Sequence, residues 1–250
     1  MCHVASSYLL QGLNVLYITL EMAEERIAER IDANLLDVTM EDLHDMPQQL
    51  YDGKIKKLRE KTQGQLIIKE YPTASAHSGH FKSLINELAL KKSFKPDVIF
   101  IDYLNICASA RFKGGNISSY FYIKAIAEEL RGLAVEANVP IFSATQTTRT
   151  GYVSTDLGLE DTSESFGLPA TADFMFALMS NEELEQLGQM KVKQLKNRYN
   201  DPSVNRAFII GVDRAKMRLY DVQQSSQNIV DSGQVEEKED AYNKFSDFKL

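Results

Sequence analysis

Three runs of hydrophobic residues along the chain each lead to one polar side chain. They are Val15–Leu20 before Glu21, Val98–Ile101 before Asp102, and Val139–Phe142 before Gln146. A run that is apolar at every position suits a strand covered on both faces, as in a parallel sheet between layers of helices. Ligand chemistry in such sheets lies at the carboxyl ends of the strands. The pattern therefore predicts an α/β fold with Glu21, Asp102 and Gln146 on one edge of the sheet.

Periodic apolar residues between these runs predict helices, and further apolar runs predict strands. Helices are predicted over residues 3–11, from after Glu21 to Leu36, near 50–62 and 79–91, and over 120–137. Gly12 should end the first helix, as glycine commonly does. Strands are predicted over 65–69, 174–179, 190–197, 206–212 and 216–222, the last ones antiparallel and close to one edge. Polar stretches over 108–119 and 147–167 predict loops after the second and third runs.

The length of 250 residues is enough for one large α/β domain with a buried core. We assign residues 1–222 to that domain and expect the polar, acid-rich residues 223–250 to be a disordered tail. A solvated terminus is the favoured role for the tail, and a docking segment is the alternative. No apolar run approaches the roughly 20 residues that span a bilayer, and no signal peptide precedes the runs. The sequence therefore predicts a cytoplasmic protein without a membrane partner.

Cysteine, histidine and net charge exclude several kinds of site. Cys2 and Cys107 lack the spacing of metal ligands and are too few for a disulfide scaffold, so both are expected to be reduced thiols. His77 and His80 have a spacing found in metal sites, but no acid or cysteine lies close by in sequence, and zinc is not expected. The net charge of −7 excludes general attraction to nucleic acid, so any such contact must come from a local patch.

The three polar side chains at the strand ends suit nucleoside-triphosphate hydrolysis. Asp102 could hold a metal ion through water, or could cap the following turn. Glu21 could accept a proton from an attacking water, or could only interact favourably with the amino end of the next helix. Gln146 could hydrogen-bond a γ-phosphate and relay its loss to the following loop, although glutamine is also unremarkable at a strand end.

Two cations near residue 197 are further candidates for this chemistry. Lys196 and Arg198 are two residues apart, which places both on one face if the segment is a strand. From there they could reach the triphosphate of a neighbouring subunit, as an arginine finger does. A solvated basic edge strand is the alternative.

The loop after Asp102 is the favoured phosphate-backbone contact for nucleic acid. Residues 103–127 contain Arg111, Lys113 and Lys124 and no acid. Basic residues beside glycines and aromatic residues suit a loop that touches single-stranded nucleic acid, although the aromatic residues at 120–122 could instead pack in the next helix. The loop at 147–165 offers Arg149 but also four acids, so charge favours the first loop.

Six segments carry a resemblance to a known family. They are Tyr17–Glu25, Arg30–Asn34, Val98–Leu104, Lys124–Arg131, Gly167–Phe174 and Lys193–Tyr199. In this order and spacing, across about residues 1–222, they resemble the carboxyl-terminal motor domain of DnaB-type hexameric replicative DNA helicases. Within that family, the helicases of T-even-like bacteriophages are the most similar. The combination is far more specific than any single segment.

The resemblance implies a RecA-like P-loop NTPase fold, with a mostly parallel twisted sheet, helices on both faces and no phosphate-loop strand. The resemblance implies a domain that hydrolyses ATP or another NTP with Mg²⁺, at sites between the subunits of a homohexamer. The implied activity is to draw single-stranded DNA through the ring and so to unwind duplex DNA. The implied location is the cytoplasm of a phage-infected bacterial host. A primase and a helicase loader are implied as further partners.

The resemblance also implies roles for individual residues. By position, Glu21 matches the catalytic glutamate, Asp102 the metal-coordinating aspartate and Gln146 the γ-phosphate-sensing glutamine. Lys196 and Arg198 match the cations donated to the next subunit's site. The loops after Asp102 and after Gln146, with Arg111, Lys113, Lys124 and Arg149, match the two loops that face DNA.

One departure from the family pattern is large. The family's glycine-rich loop, which ends in lysine and serine or threonine, should stand just before the helix at 3–11, but no G-x-x-x-x-G-K-[ST] occurs in the sequence. The amino-terminal collar domain is also missing. We interpret the chain as a fragment whose Met1 lies just past that lysine, from a split gene or an incomplete reading frame. Because the loop's amides and lysine hold several phosphate oxygens at once, the chain alone is expected not to hydrolyse ATP.

Two other functions stay open. One is a non-catalytic RecA-like module that binds DNA or caps a ring of complete subunits. The other is a recombinase-type strand-exchange ATPase on the same fold. It is disfavoured because Leu20–Met22 and Lys193–Arg198 match the helicases better.

Overall fold

The computed structural model describes residues 1–112, 117–147, 158–159, 167–201 and 204–223. Its α-helices are α1 (Cys2–Leu10), α2 (Glu24–Leu36), α3 (Met40–His44), α4 (Gln48–Lys61), α5 (Ser78–Lys92), α6 (Ser119–Ala137), α7 (Gly167–Thr171) and α8 (Glu182–Gln186). Its strands are β1 (Val15–Thr19), β2 (Leu66–Glu70), β3 (Val98–Asp102), β4 (Ile141–Ser143), β5 (Phe174–Met179), β6 (Gln189–Asn197), β7 (Ala207–Asp213) and β8 (Arg218–Asp221). The predicted helices and strands are therefore confirmed to within a few residues, and the short helices α3, α7 and α8 were not predicted.

The strands form two sheets of four. The first has the order β2-β1-β3-β4 and is parallel throughout, which confirms the prediction from the apolar runs. The second has the order β5-β6-β7-β8 and is antiparallel. The predicted antiparallel pairing is therefore confirmed, and among the described residues these four strands pair with one another and not with the parallel sheet.

Helices cover both faces of the parallel sheet, as its apolar strands require. Alternate residues of β1 and β3 point to opposite faces. Leu16, Ile18, Ile99 and Ile101 are fully buried in a core with α5 and α6. On the other face, the core with α1 and α2 buries Val15, Tyr17, Val98 and Phe100. Full burial of one such side chain contributes about 1.5–3 kcal/mol, so the two central strands are fixed firmly.

The turn from α1 into β1 depends on a glycine. Gly12 has φ of +84°, a backbone conformation that other residues rarely adopt, and its N–H donates to the carbonyl of Leu9 at 2.9 Å. The predicted helix stop at Gly12 is therefore confirmed. The chain then enters β1 within three residues.

Helix α6 lies over both sheets. Its Ile126, Leu130 and Leu133 are buried in a core that also receives Ile141 of β4 and Met175 of β5. Among the described residues, β4 pairs only with β3 and β5 only with β6. On β5 the alternate residues Phe174, Phe176 and Leu178 are 43–53% exposed.

Residues 224–250, which make up nearly all of the predicted tail, lie outside the described residues. Within the described part of the chain, no helix is long and apolar enough to cross a membrane.

Candidate functional site

The carboxyl ends of β1, β3 and β4 are level with one another. Thr19 is opposite Asp102, and Ile101 is opposite Ser143. The N–H of Leu20 donates to the carbonyl of Asp102 at 2.8 Å, which extends the ladder by one residue. The register therefore brings the segments that carry Glu21, Asp102 and Gln146 to one edge of the sheet.

Asp102 is half-buried at the last position of β3. Its Oδ2 accepts a hydrogen bond of 2.7 Å from the hydroxyl of Tyr17 on β1. Its Oδ1 has no hydrogen-bond partner among the described residues, so one oxygen is fixed and the other is available to a ligand.

Glu21 is exposed, and its carboxylate makes no hydrogen bond to a described residue. A local turn sets its position. The hydroxyl of Thr19 accepts from the N–H groups of Glu21 at 3.4 Å and Met22 at 3.0 Å, and donates to the carbonyl of Met22 at 2.8 Å. The turn is therefore held by its own residues, and no described residue binds the Glu21 carboxylate at the edge.

Gln146 is exposed three residues after β4 and is linked to the segment that follows Asp102. Its Nε2 donates to the hydroxyl of Tyr103 at 3.1 Å. The N–H of Leu104 donates to the carbonyl of Ala144 at 3.2 Å, which ties the same two segments together. The neighbouring Thr145 has a buried hydroxyl oxygen without a hydrogen-bond partner among the described residues, so this corner of the site retains an unused polar atom.

Lys196 and Arg198 share one face, but both are held within the chain. Lys196 Nζ donates to the carbonyl of Pro169 at 2.6 Å and of Ala170 at 3.1 Å, and Arg198 also donates to Ala170 at 3.1 Å. Arg198 Nε lies 2.9 Å from Asp173 Oδ1. Burial, aided by the charge of Arg198, lowers the pKa of Lys196. Both cations are therefore bound to carbonyl groups of α7.

Asp173 also anchors α6, because its Oδ1 lies 2.9 Å from a guanidinium nitrogen of Arg131. One carboxylate thus pairs two arginines from different elements, α6 and the end of β6. The sequence analysis gave Asp173 no role. No local sequence pattern indicates one, because its partners Arg131 and Arg198 lie 42 and 25 residues away in sequence.

Arg111 and Lys124, two of the residues predicted to contact DNA, are close to one carboxylate. Arg111 lies 2.5 Å and Lys124 3.9 Å from oxygens of Glu128 on α6. The aliphatic part of Lys124 also lies against Gly167. A Cβ atom added at position 167 would lie only 2.8 Å from the side-chain carbons of Lys124. Arg111 and Lys124 therefore lie near each other, and part of their positive charge is balanced by Glu128. Lys113 and Arg149 lie outside the described residues.

Glu129 anchors the loop that leaves β3. Its carboxylate accepts hydrogen bonds from Ser109 Oγ at 2.6 Å, Ala110 N at 2.8 Å, Ser78 Oγ at 3.2 Å and Arg111 N at 3.3 Å. Burial alone would raise the pKa of Glu129, but these hydrogen bonds outweigh burial and hold the pKa below its usual value. The sequence analysis assigned Glu129 no role, because nothing in the helical spacing of α6 distinguishes it from a solvated acid.

The two histidines near residue 78 cap α5. His77 Nδ1 accepts from the N–H of Gly79 at 3.0 Å, and His80 Nδ1 accepts from the N–H of His77 at 3.2 Å. Among the described residues, no group of three or more His, Cys, Asp or Glu side chains is arranged to hold a metal ion. Cys107 is buried and Cys2 is half-buried, and both are free thiols.

Comparison with known proteins assigns the chain to a family. Residues 1–215 match the model of the DnaB-like helicase C terminal domain. The chain belongs to this family. It is 47% identical over 229 residues to the "DnaB-like replicative helicase" of Enterobacteria phage T4, covering 90% of this chain and 48% of the phage protein. It is 34% identical over 144 residues to a "Probable plasmid replicative DNA helicase" of Chlamydia trachomatis, covering 56% of this chain and 30% of that protein.

Solved structures of DnaB-like proteins share the fold. One is described as a DnaB-like replicative helicase and its interactions with primase; it aligns with a TM-score of 0.70 at 17% identity, over 89% of this chain and 54% of that one. A second, described as an ATPase domain, aligns with the same TM-score and identity, over 88% of this chain and 78% of that one. The predicted RecA-like fold and DnaB-type resemblance are therefore confirmed. The chain spans about half the length of the T4 helicase and less of the chlamydial one.

Proposed function

We propose that this DnaB-like domain is motor machinery of a replicative DNA helicase, in which ATP hydrolysis drives movement along single-stranded DNA and duplex unwinding. The observation that carries the proposal is the convergence of Glu21, Asp102 and Gln146 at the carboxyl edge of one parallel sheet. Sites in open α/β sheets lie at this edge. Hydrolysis of the bond to the γ-phosphate uses groups of this kind: a carboxylate that holds the metal, a carboxylate that accepts a proton from the water, and an amide that contacts the γ-phosphate.

The donor set at the edge fits Mg²⁺. Magnesium is usually bound by one or two carboxylates and completes its shell with water and phosphate oxygens. Asp102 supplies one carboxylate whose Oδ1 is free of the described residues. We assign Asp102 to hold Mg²⁺ through water, and the ion would neutralise charge on the phosphate oxygens. Glu21 would take the proton of the attacking water, and Gln146 would contact the γ-phosphate.

The proposed assembly is a homohexamer with nucleotide between subunits. Lys196 and Arg198 lie together on one face, which suits a pair of cations donated to the neighbouring subunit's site. Their release from the carbonyl of Ala170 would accompany ring formation. A primase and a helicase loader are proposed as further partners. A primase is favoured by the solved DnaB-like structure, which is described with its interactions with primase.

We further propose that the 250 residues alone do not hydrolyse ATP. They contain no G-x-x-x-x-G-K-[ST] segment, and the backbone amides and lysine of such a loop supply most of the direct contacts to the triphosphate. The edge described above offers two carboxylates and an amide. Without the loop, these groups would repel or only weakly hold a triphosphate.

The test compares the purified 250-residue chain with a chain extended upstream by a segment that carries the family's phosphate loop. We expect DNA-stimulated ATP hydrolysis from the extended chain and none from the 250 residues above the background of their Glu21→Gln variant. DNA-stimulated hydrolysis by the 250 residues that is lost on Glu21→Gln would contradict their inactivity. An extended chain that assembles but never hydrolyses ATP would contradict the motor function.

A second candidate is a non-catalytic DNA-binding or ring-assembly module. The observation that favours it is the same missing phosphate loop. The experiment above separates the two functions, because such a module would bind DNA or complete subunits while the extended chain stayed inactive.

Glu128 should limit the affinity of the chain for single-stranded DNA, because it pairs with both Arg111 and Lys124. We expect Glu128→Gln to raise the affinity for an oligothymidine about three- to tenfold. It should also steepen the salt dependence, since each freed cation that meets a phosphate adds roughly 0.7 to the slope. Fluorescence anisotropy across a salt series measures both effects.

The matched control is Glu136→Gln, which removes one negative charge from the same helix at the pair with Lys82. It changes the net charge equally but leaves the cation patch untouched. Equal effects of the two variants would show that only net charge matters. An unchanged affinity in Glu128→Gln would remove Arg111 and Lys124 from the DNA contact.

A further inference from the structure

Tyr17 on β1 brings a buried polar atom into the α1–α2 core. Its neighbours Val15, Leu16 and Ile18 are purely apolar, and all four are fully buried. A buried hydroxyl costs free energy unless it is hydrogen-bonded. Phenylalanine would fill the same position without that cost. The hydroxyl therefore needs a partner, and its position at the end of a rigid ring makes the partner specific.

The partner of the hydroxyl is the Asp102 carboxylate, at 2.7 Å from Oδ2. The only other polar contact of the hydroxyl among the described residues is the Cys2 thiol at 3.9 Å. Tyr17 therefore donates to one oxygen of Asp102.

The ring of Tyr17 is held in place by aromatic neighbours. It stacks on Phe100 of β3, with centroids 5.7 Å apart and planes 13° apart. Phe100 in turn stacks on Phe142 of β4 at 5.2 Å. The stack crosses three adjacent strands of the parallel sheet, so the hydroxyl cannot shift without moving the core. Packing of the ring therefore fixes the position of the Tyr17 hydroxyl independently of its hydrogen bond to Asp102.

We infer that Tyr17 is a positioning residue for Asp102: its hydroxyl holds Oδ2, and so fixes the side-chain rotamer of Asp102 that leaves Oδ1 for the metal-bound water. The inference rests on the proposed function for the role of the metal. The orientation of the carboxylate itself does not depend on that function. Groups that orient a metal-binding carboxylate typically change metal affinity about 10–100-fold when they are removed.

Tyr17→Phe tests the inference because it removes the hydroxyl and keeps the ring. The matched control is Tyr8→Phe, since Tyr8 packs on Phe100 and Phe142 in the same core and its hydroxyl makes no hydrogen bond to a described residue. In the 250-residue chain, three-bond NMR couplings from the carboxyl carbon of Asp102 report its χ1 angle. We expect one rotamer in the unmodified chain and in Tyr8→Phe, and averaged rotamers in Tyr17→Phe.

A second readout uses the extended chain with the phosphate loop. We expect Tyr17→Phe to raise the Mg²⁺ concentration for half-maximal ATP hydrolysis about tenfold and to change kcat at saturating Mg²⁺ less than about threefold. Tyr8→Phe should leave both unchanged. A merely structural tyrosine would lower the melting temperature without moving the Mg²⁺ dependence.

The outcomes separate the inference from the proposed function. A single Asp102 rotamer that persists in Tyr17→Phe, or an unchanged Mg²⁺ dependence, overturns the positioning role. An extended chain that is inactive in every variant contradicts the motor function, and the rotamer measurement still decides the role of Tyr17. Should Tyr17→Phe fail to fold, Tyr17→Met also removes the hydroxyl and gives the same two readouts.

Discussion

Changing Glu21 to glutamine, in the chain extended by a phosphate loop, is expected to lower kcat for ATP hydrolysis by about 10²–10⁴-fold, the usual contribution of a general base. Nucleotide binding should stay within about twofold, because the amide has the size of the carboxylate and the loop supplies the phosphate contacts. Single-turnover hydrolysis and equilibrium binding of a labelled nucleotide measure the two quantities separately.

The alternative role for Glu21 is only to interact with the amino end of α2. That helix begins at Glu24, and Glu24 and Glu25 already occupy its first turn. Glu21 lies outside it, exposed and without a hydrogen bond to a described residue. The matched control is therefore Glu25→Gln, which removes an exposed acid from the helix end and should leave kcat unchanged. A Glu21→Gln variant that keeps more than a tenth of the rate would refute the base role.

Replacing Glu129 by alanine is expected to lower the free energy of unfolding by about 2–3 kcal/mol. The carboxylate accepts four hydrogen bonds, from Ser78, Ser109, Ala110 and Arg111. Hydrogen bonds to a charged group contribute roughly 1.5–3 kcal/mol each, but Glu129 is partly exposed and water can replace some of them. Urea unfolding monitored by circular dichroism measures the change.

The same carboxylate should make stability depend on pH in a known direction. Because the pKa of Glu129 is lower in the folded chain than its usual value of 4.5, the stabilisation is fully present above about pH 4.5 and is lost as pH falls through the folded-state pKa. The Glu129→Ala variant should therefore show a weaker loss of stability below pH 4.5 than the unmodified chain. Glu136→Ala on the same helix is the control. Equal pH profiles for all three chains would contradict the assignment.

The strands and the sheet edge could be predicted because their signal is local. Val98–Ile101 is apolar at every position, and the structure buries all of it in a parallel sheet with Asp102 at its end. Gly12 likewise ends α1 through a property of its own backbone. Such features depend on a few consecutive residues, so a single sequence holds all the information needed to predict them.

The partners of the charged residues could not be predicted in the same way. Glu128 and Glu129 are adjacent, yet Glu128 pairs with cations and Glu129 accepts hydrogen bonds from backbone N–H groups 18 and 19 residues earlier. The contact between Tyr17 and Asp102 joins residues 85 apart. Which pair meets depends on the order of the strands in the sheet and on how the helices pack against it, and hydrophobic patterning does not determine either.

The exposed apolar side chains of β5 have a practical consequence for handling the protein. Phe174, Phe176 and Leu178 are 43–53% exposed, and exposed apolar surface promotes association with other chains. The net charge of −7 opposes such association, but added salt screens that repulsion. Purified samples should accordingly be kept dilute and at low ionic strength, and their dispersity checked by light scattering before ATPase or DNA-binding rates are compared.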